Sequence, residues 1–413
     1  MNSKKLFNII YLTEDGITET RCGVGTIAQN FAKSWSNVRA YFAKRGILLS
    51  LFVISLSDTK RNSSNNFYIK RRKSLNNSYF DLVLWKEYNK EAIGIIHHIS
   101  DNNSGENIVL ANDSIFAGVL TDQKNLINVW IPHSLAGVHK QSYCNEKDLR
   151  SWEDQAISKI KKLPNYFLGS ISKSVDEIIK KKLAIPNNKV IQFRNGLNFN
   201  ELKKYTRLTK QQIKLFLAKK KIPLDKKIIF SYARADEYKG LDFSLNCMIQ
   251  FCKKHDDFIG ILIASSFSDE AFIEKIQNNL AEIAKDNSQI YLFFDYEPDL
   301  PKYLLRYSNT KFLINMPLRD FSPIVPNEAV LISHKDLYTI NSNIQCFTSI
   351  IQNWQNGFLC KHNTKELIKL IELIMNNKNK AVEVKKKEKV KVLSSYNIEK
   401  NYISGFSEII ISR

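Results

Sequence analysis

Two cations and two carboxylates stand where they could act on a charged, hydroxyl-rich ligand. The stretch I-I-F-S-Y-A-R-A-D-E-Y-K-G, Ile228 to Gly240, is an apolar run that stops at a short loop carrying Arg234 and Lys239. A helix is expected to begin near Leu241. In open α/β sheets ligands sit at the carboxyl ends of strands, so both cations occupy ligand positions. A guanidinium offers a bidentate fork and an ammonium a mobile point charge, a pair suited to gripping a diphosphate. Either residue alone would pass for ordinary surface charge; the joint position at a strand end is what points to a ligand. Further along, R-D-F-S-P-I-V-P-N-E-A-V, Arg319 to Val330, separates Asp320 from Glu328 by seven uncharged residues, two of them proline. Pro326 and Asn327 read as a helix start, with Glu328 favourable near its positive end. Unpaired amides ahead of Pro326 can face a phosphate.

A glycine-rich segment, C-G-V-G-T-I-A from Cys22 to Ala28, lies between the first apolar run and a helix expected over Ile27–Trp35. Backbone amides bared by glycine at a helix start favour an anion. The string also fits the G-x-G-x-x-A dinucleotide fingerprint of NAD enzymes. That fingerprint needs its glycines directly after a strand, and here Glu14–Cys22 intervenes. The ribose-binding acid is also missing, because Phe42–Phe52 holds no Asp or Glu. An ordinary surface loop is the remaining alternative to the phosphate cradle.

These residues must be held by a frame, and the apolar pattern supplies one. Runs rich in β-branched and aromatic residues alternate with longer amphipathic stretches, as parallel strands joined by helices do. The expected strands are Leu6–Thr13, Leu48–Leu56, Asp81–Trp85, Ile108–Ala111, Leu126–Pro132, Tyr166–Ile171 and Val190–Arg194. The rhythm then restarts with Lys227–Tyr232, Ile259–Ala264, Ile290–Phe294, Phe312–Met316 and Leu337–Ile340. A chain of 413 residues exceeds one ordinary core, so two α/β domains are expected. Their bounds read as residues 1–197 and 227–394, joined by a lysine-rich helical connection over 198–226.

Composition limits the partners. Sixty-one basic against 41 acidic side chains give +20, a field that attracts phosphorylated ligands, anionic membrane surfaces or nucleic acid. No aromatic-flanked RNA motif or recognition-helix signature accompanies the lysines, so a nucleic-acid partner is not expected. The lysine run K-K-K-E-K-V-K, Lys385 to Lys391, is either a solvated helix face or a patch for an anionic lipid or polyanionic substrate. Six cysteines show no C-x-x-C pair and no zinc spacing, and are expected to be reduced thiols. Ile47–Leu56, the longest apolar stretch, is too short to span a bilayer, and no signal peptide is legible. A cytoplasmic protein, with peripheral contact at the inner face of the membrane, is the expectation.

In their order these motifs resemble the retaining, nucleotide-sugar-dependent glycosyltransferases of the GT-B fold, the family-4-like group also called glycosyl transferases group 1. Cys22-Gly23-Val24-Gly25 is similar to that family's G-G-V-G loop, and W-I-P-H, ending at His133, to its histidine after an N-lobe strand. S-I-S-K-S, Ser170 to Ser174, and F-R-N-G-L-N, Phe193 to Asn198, resemble its serine-rich strand end and I-P-N-G-V-D turn. Ala233-Arg234 through Lys239-Gly240 resembles the G-R…K-G element. Asp320, Glu328-Ala329 and Asn356-Gly357-Phe358-Leu359 match an acid, seven residues, E-A and a later N-G-F-L.

The resemblance implies two Rossmann-like domains facing each other across a cleft, with the C-terminal segment over 395–413 returning to the first. It implies that Arg234 and Lys239 bind the donor diphosphate and stabilise the leaving group. Glu328 would hold the ribose, and Asp320 hydroxyls of the transferred sugar. Amides and side chains of Phe321, Ser322, Ile324 and Val325, together with Tyr296, would line the donor. Gly25 would close the cleft from the other lobe, and His133 would sit by the donor sugar's hydroxymethyl side, with a buried structural histidine as the alternative. Transfer would be front-face and retaining, to the hydroxyl of a glycan, lipid-linked, protein or small-molecule acceptor, without metal or other cofactor. The chain departs from the pattern at Ala233, where glycine is usual, at Asp320, where glutamate is usual, and at Ser322 and Pro323 in place of glycines. A non-catalytic scaffold that binds nucleotide sugar is the alternative those departures leave.

Overall fold

A computed structural model describes residues 5–17, 23–58, 60, 62–72, 81–120, 126–135, 146–265 and 271–411. The chain divides into two units, Met1–Asn198 with Ile398–Arg413, and Phe199–Asn397.

In the first unit the strands are β1 (Lys5–Thr13), β2 (Ile47–Ser57), β3 (Asn66–Lys70), β4 (Glu106–Asn112), β5 (Leu126–Ile131), β6 (Tyr166–Gly169) and β7 (Val190–Ile191). They form one parallel sheet in the order β3-β2-β1-β4-β5-β6-β7. Its helices are α1 (Gly23–Ala43), α2 (Leu82–Asn102), α3 (Glu146–Lys162) and α4 (Lys173–Ile178). The second unit opens with α5 (Phe199–Thr206) and α6 (Lys210–Lys219), and its strands are β8 (Lys227–Arg234), β9 (Phe258–Ser265), β10 (Ile290–Phe293), β11 (Thr310–Asn315), β12 (Tyr338–Ser342) and β13 (Phe358–Cys360). These pair in parallel in the order β10-β9-β8-β11-β12-β13. Between and after them run α7 (Leu241–Lys254), α8 (Ala271–Ala284), α9 (Leu300–Arg306), α10 (Val325–Ile332), α11 (Gln345–Thr348), α12 (Thr364–Asn376) and α13 (Lys378–Ser395). The last helix, α14 (Ile398–Ile410), belongs to the first unit.

The central strands are buried almost end to end, as parallel strands covered on both faces must be. The contact of α14 with α1 is aromatic: Phe31 stacks on Tyr402 at 4.4 Å, and Phe193 meets Phe406 edge-on at 5.4 Å. Gly405 makes room for this, since a Cβ there would lie 2.7 Å from the Phe193 ring.

Three sequence expectations change. Asp81–Trp85 is a helix start and no strand: the Asp81 carboxylate accepts from the amides of Val83 and Leu84, and Trp85, Tyr88, Ala92, Ile96 and Ile99 bury one helical face. A short apolar run at a helix N-terminus has no period long enough to tell it from a strand. The edge strands β3 and β13 went unread because each is brief. Residues 198–226, expected as a helical connection between the domains, do form helices, α5 and α6, but these belong to the second unit: the Phe216 ring stacks on Tyr303 of α9 at 3.9 Å, and Tyr205 of α5 donates to Asp299 at 2.6 Å.

Among the described residues no helix is long and apolar enough to cross a membrane. Cys247, Cys252, Cys346 and Cys360 are buried free thiols, while Cys22 and Cys144 lie outside the described residues.

Candidate active site

Both sheets grow outward from a central pair, β1 with β4 and β8 with β11, so each has one point where strand order reverses. A crevice for ligands opens at the carboxyl ends of such a pair. In the second unit that point lies between Arg234, the last residue of β8, and Met316, just after β11.

A glycine decides the local path. Gly240 sits at φ +61, a left-handed conformation, and a Cβ on it would fall 2.0 Å from the Met316 carbonyl oxygen. That close approach carries Lys239 against the segment after β11, where its Nζ donates to Asp320 Oδ2 at 3.0 Å. The Tyr238 carbonyl accepts from the Leu318 amide at 2.8 Å, and His362 Nε2 lies 2.8 Å from the Met316 oxygen. The two sequence motifs, one around Lys239 and one around Asp320, are thus tied together at their first residues. Burial alone would lower the Lys239 pKa, but Asp320 beside it prevails and raises it, so the ammonium is permanent. Arg234 donates to the buried Asp236 at 2.6 Å and to the Tyr238 hydroxyl at 2.9 Å. The guanidinium is thereby held with part of its fork engaged and remains about a third exposed, at 34%.

Glu328 lies in the first turn of α10. That helix starts at Val325 without a side-chain cap, and Pro326 occupies its opening turn. Its N-terminal amides therefore have no intrahelical acceptor. Glu328 is 9% exposed, is ion-paired with Lys302 of α9, and accepts from the Tyr232 hydroxyl at 3.3 Å. Burial first, and then Glu328, raise Tyr232 well above its ordinary value, so the phenol stays a donor. Asp320 also accepts from the Ser322 amide at 3.2 Å, and the Ser322 hydroxyl is buried without a partner. Such an unsatisfied group requires an explanation, and a ligand oxygen is one. Phe321 is buried, Ile324 and Val325 are half-buried, and Tyr296 is exposed in the loop leading to α9.

The first unit's switch point has the opposite character. The ends of β1 and β4 place Glu14, Asp15 and Asp113 together, with Arg71 bonded to Glu14 at 2.9 Å and 3.7 Å from Asp15. Asp113 takes φ +80, caps Ser114 at 2.8 Å and is pushed up to about 6, chiefly by burial. Gly23 and Gly25 lie inside the first turn of α1 and do not form an open loop. A Cβ on Gly25 would meet the Asp15 carboxylate at 2.6 Å. The helix start read as a phosphate cradle thus has the chain's own carboxylate against it. Burial lowers His133 to about 4, so the ring is neutral. A neutral ring can donate from Nε2 to Asn112 at 2.8 Å and accept at Nδ1 from Asn195 at 3.5 Å.

The structure therefore brings Arg234, Lys239, Asp320, Ser322 and Glu328 onto the strand ends and first helical turn of one unit, and places Gly25 and His133 in the other. It adds Tyr232, Asp236, Tyr238 and Lys302, which the sequence reading passed over. Tyr232 and Arg234 share a strand face at period two, a signal that was available. Lys302 sits in an unremarkable helix and had none. Asp113 ends a strand in N-D-S and falls under the same strand-end rule that found Arg234.

Residues 212–391 match the family model of the glycosyl transferases group 1. No curated protein sequence matches the chain. Among solved structures, sucrose-phosphate synthase from Thermosynechococcus elongatus aligns with TM-score 0.72 at 14% identity, covering 98% of this chain and 100% of that one. A glycosyltransferase from Rickettsia africae aligns at 0.67 and 13%, covering 98% and 99%. HepE of Anabaena, in complex with UDP-glucose, aligns at 0.69 and 11%, covering 98% and 100%. At such identities the likeness speaks for the fold alone: the chain has the GT-B fold, and its residues 212–391 carry a match to the glycosyl transferases group 1.

Proposed function

We propose that the protein is a retaining transferase that moves a sugar from a nucleoside diphosphate sugar to an acceptor hydroxyl in glycan, glycolipid or glycoconjugate synthesis. The observation that carries this reading is the Lys239–Asp320 pair at 3.0 Å beside Arg234, at the carboxyl end of β8 and next to an uncapped helix start. Two fixed cations and unpaired amides suit a diphosphate, and they stabilise charge as it leaves. No metal is needed for that task in this reading. Lys239 would exchange part of its bond to Asp320 for the phosphate, freeing the carboxylate for sugar hydroxyls. Glu328, already positioned by Tyr232 and Lys302, would accept from the ribose. The acceptor hydroxyl would attack on the face the diphosphate leaves, with the departing phosphate taking its proton. HepE, solved in complex with UDP-glucose, favours a UDP-sugar over a GDP-sugar as the first to try.

Thermal-shift measurements with UDP and GDP test the donor reading. A ligand at a hundred times its Kd stabilises by about 2.7 kcal/mol, a shift of several degrees. Proton NMR of the product formed from an α-linked donor should then show an α linkage. An unshifted melting curve with every nucleoside diphosphate, or a β product, would overturn the donor or the stereochemical half respectively.

A further inference from the structure

Behind the first turn of α10 lies a cavity of about 20 Å³, room for one water, with polar groups set in a largely apolar wall. Asn327 of α10, Asn341 at the end of β12, Asn356, and Glu388 and Lys391 of α13 all line it. Glu388 is 6% exposed, and no residue among those described hydrogen-bonds or ion-pairs with it. Asn341 Nδ2 is likewise buried without a partner, while its Oδ1 accepts from Asn315 at 3.0 Å. Gly357 lies against this carboxyl, for a Cβ there would stand 3.4 Å from Glu388 Oε1. One turn earlier, Lys385 donates to the Ser333 hydroxyl at 2.9 Å and to the carbonyls of His334 and Leu337, each at 2.6 Å. Helix α13 thus binds the C-terminal end of α10 with a lysine and meets its N-terminal turn with a carboxyl.

We propose that Glu388 is a positioning residue for the donor site: facing Asn327 and Asn341 across a cavity with room for one water, it fixes the first turn of α10 and with it Glu328. The effect on turnover rests on the donor reading given above, whereas the effect on α10 does not. Burial pushes Glu388 up to about 8, with the Lys385 charge pulling the other way. Lys391 and Tyr396 are the other ionisable groups lining the cavity, and the residues that α10, β12 and the 350–356 segment contribute are uncharged. An acid whose folded value is raised from 4.5 stabilises the fold below that value, and the contribution is lost as pH rises toward 8. As pH rises through that window an unpaired buried carboxylate forms behind the donor helix, and the turn loosens.

The test compares wild type, Glu388→Gln and Glu388→Leu between pH 6 and 9, measuring hydrogen-exchange protection of residues 325–332 and the donor KM and kcat. In the wild type, protection of α10 should fall as pH rises from 6 toward 8 and level off above it, and KM should rise several-fold over the same range with a smaller change in kcat. Glu388→Gln should hold both at their neutral-pH level, and Glu388→Leu, folded by its melting curve, should show a raised KM at every pH. An alkaline limb unchanged in Glu388→Gln, or wild-type protection and KM in folded Glu388→Leu, would overturn the proposal. The expected exchange pattern without turnover of any nucleotide sugar would support the role of Glu388 and sink the donor reading alone.

Discussion

The two switch points are built from the same topology and opposite charge. At β1 and β4 Glu14 and Asp15 surround one arginine with Asp113 near them, the adjacent helix start has Asp15 against it, and the histidine is neutral. At β8 and β11 an arginine and a lysine stand at the strand ends, each paired to an acid, and the neighbouring helix start is uncapped. An identical fold rule thus yields one site that would repel a diphosphate and one that would attract it. What separates them is which side chains end the strands. A net charge of +20 gives no hint of this, since it averages over both.

The comparison breaks most sharply at Lys239. In the proposed reaction Lys239→Ala removes a fixed cation from the leaving group and should lower kcat by ~10²–10³. A Lys239→Ala/Asp320→Asn double variant separates that loss from the stranding of Asp320. Asp113→Asn, at the other switch point, should leave nucleoside diphosphate affinity within about twofold by calorimetry. The reverse pattern would place the nucleotide in the wrong unit. Next in size is Glu328→Gln, which strands the Lys302 ammonium in a site only 13% exposed and should destabilise by about 3 kcal/mol in urea unfolding. A melting midpoint equal to wild type would show that Lys302 finds water.

Smaller effects sharpen the first unit. Gly25→Ala forces its Cβ against Asp15 and should lower stability by about 1–3 kcal/mol. In an Asp15→Ala background the same change should lose most of that penalty, and simple additivity would disprove the contact. The smallest effect is expected at His133. Burial holds it at about 4, below the ordinary 6.5, so it stabilises the fold above 6.5 and loses that contribution as pH falls toward 4. His133→Gln should flatten part of the fall in Tm over that window; an identical slope would mean the ring is hydrated in the folded protein.

Much of the frame was legible. Near-continuous apolar runs located most central strands to within a residue or two, because strands buried on both faces have no polar positions to blur them. Arg234, Lys239, Asp320 and Glu328 were legible because a strand end and a helix start are local features. The Asp81–Trp85 segment failed for a related reason: its helical signal lies in Tyr88 to Ile99, beyond the run itself. Gly25 was legible as a glycine but not as the neighbour of Asp15, a contact between separate segments that no local pattern encodes.

By itself the sequence determined two α/β units, the order of their strands along the chain, and the residue types at the ends of β8 and β11. Only the tertiary structure decided who pairs with whom. Lys239 meets Asp320 because Gly240 lets two loops approach to within backbone contact. Glu328 meets Lys302 because α9 and α10 pack side by side, and Glu388 is pushed up to about 8 because its helix is packed where the carboxyl is buried. Pattern and propensity act over a few residues, whereas burial and Coulomb energy depend on neighbours that arrive from 26 to 81 positions away.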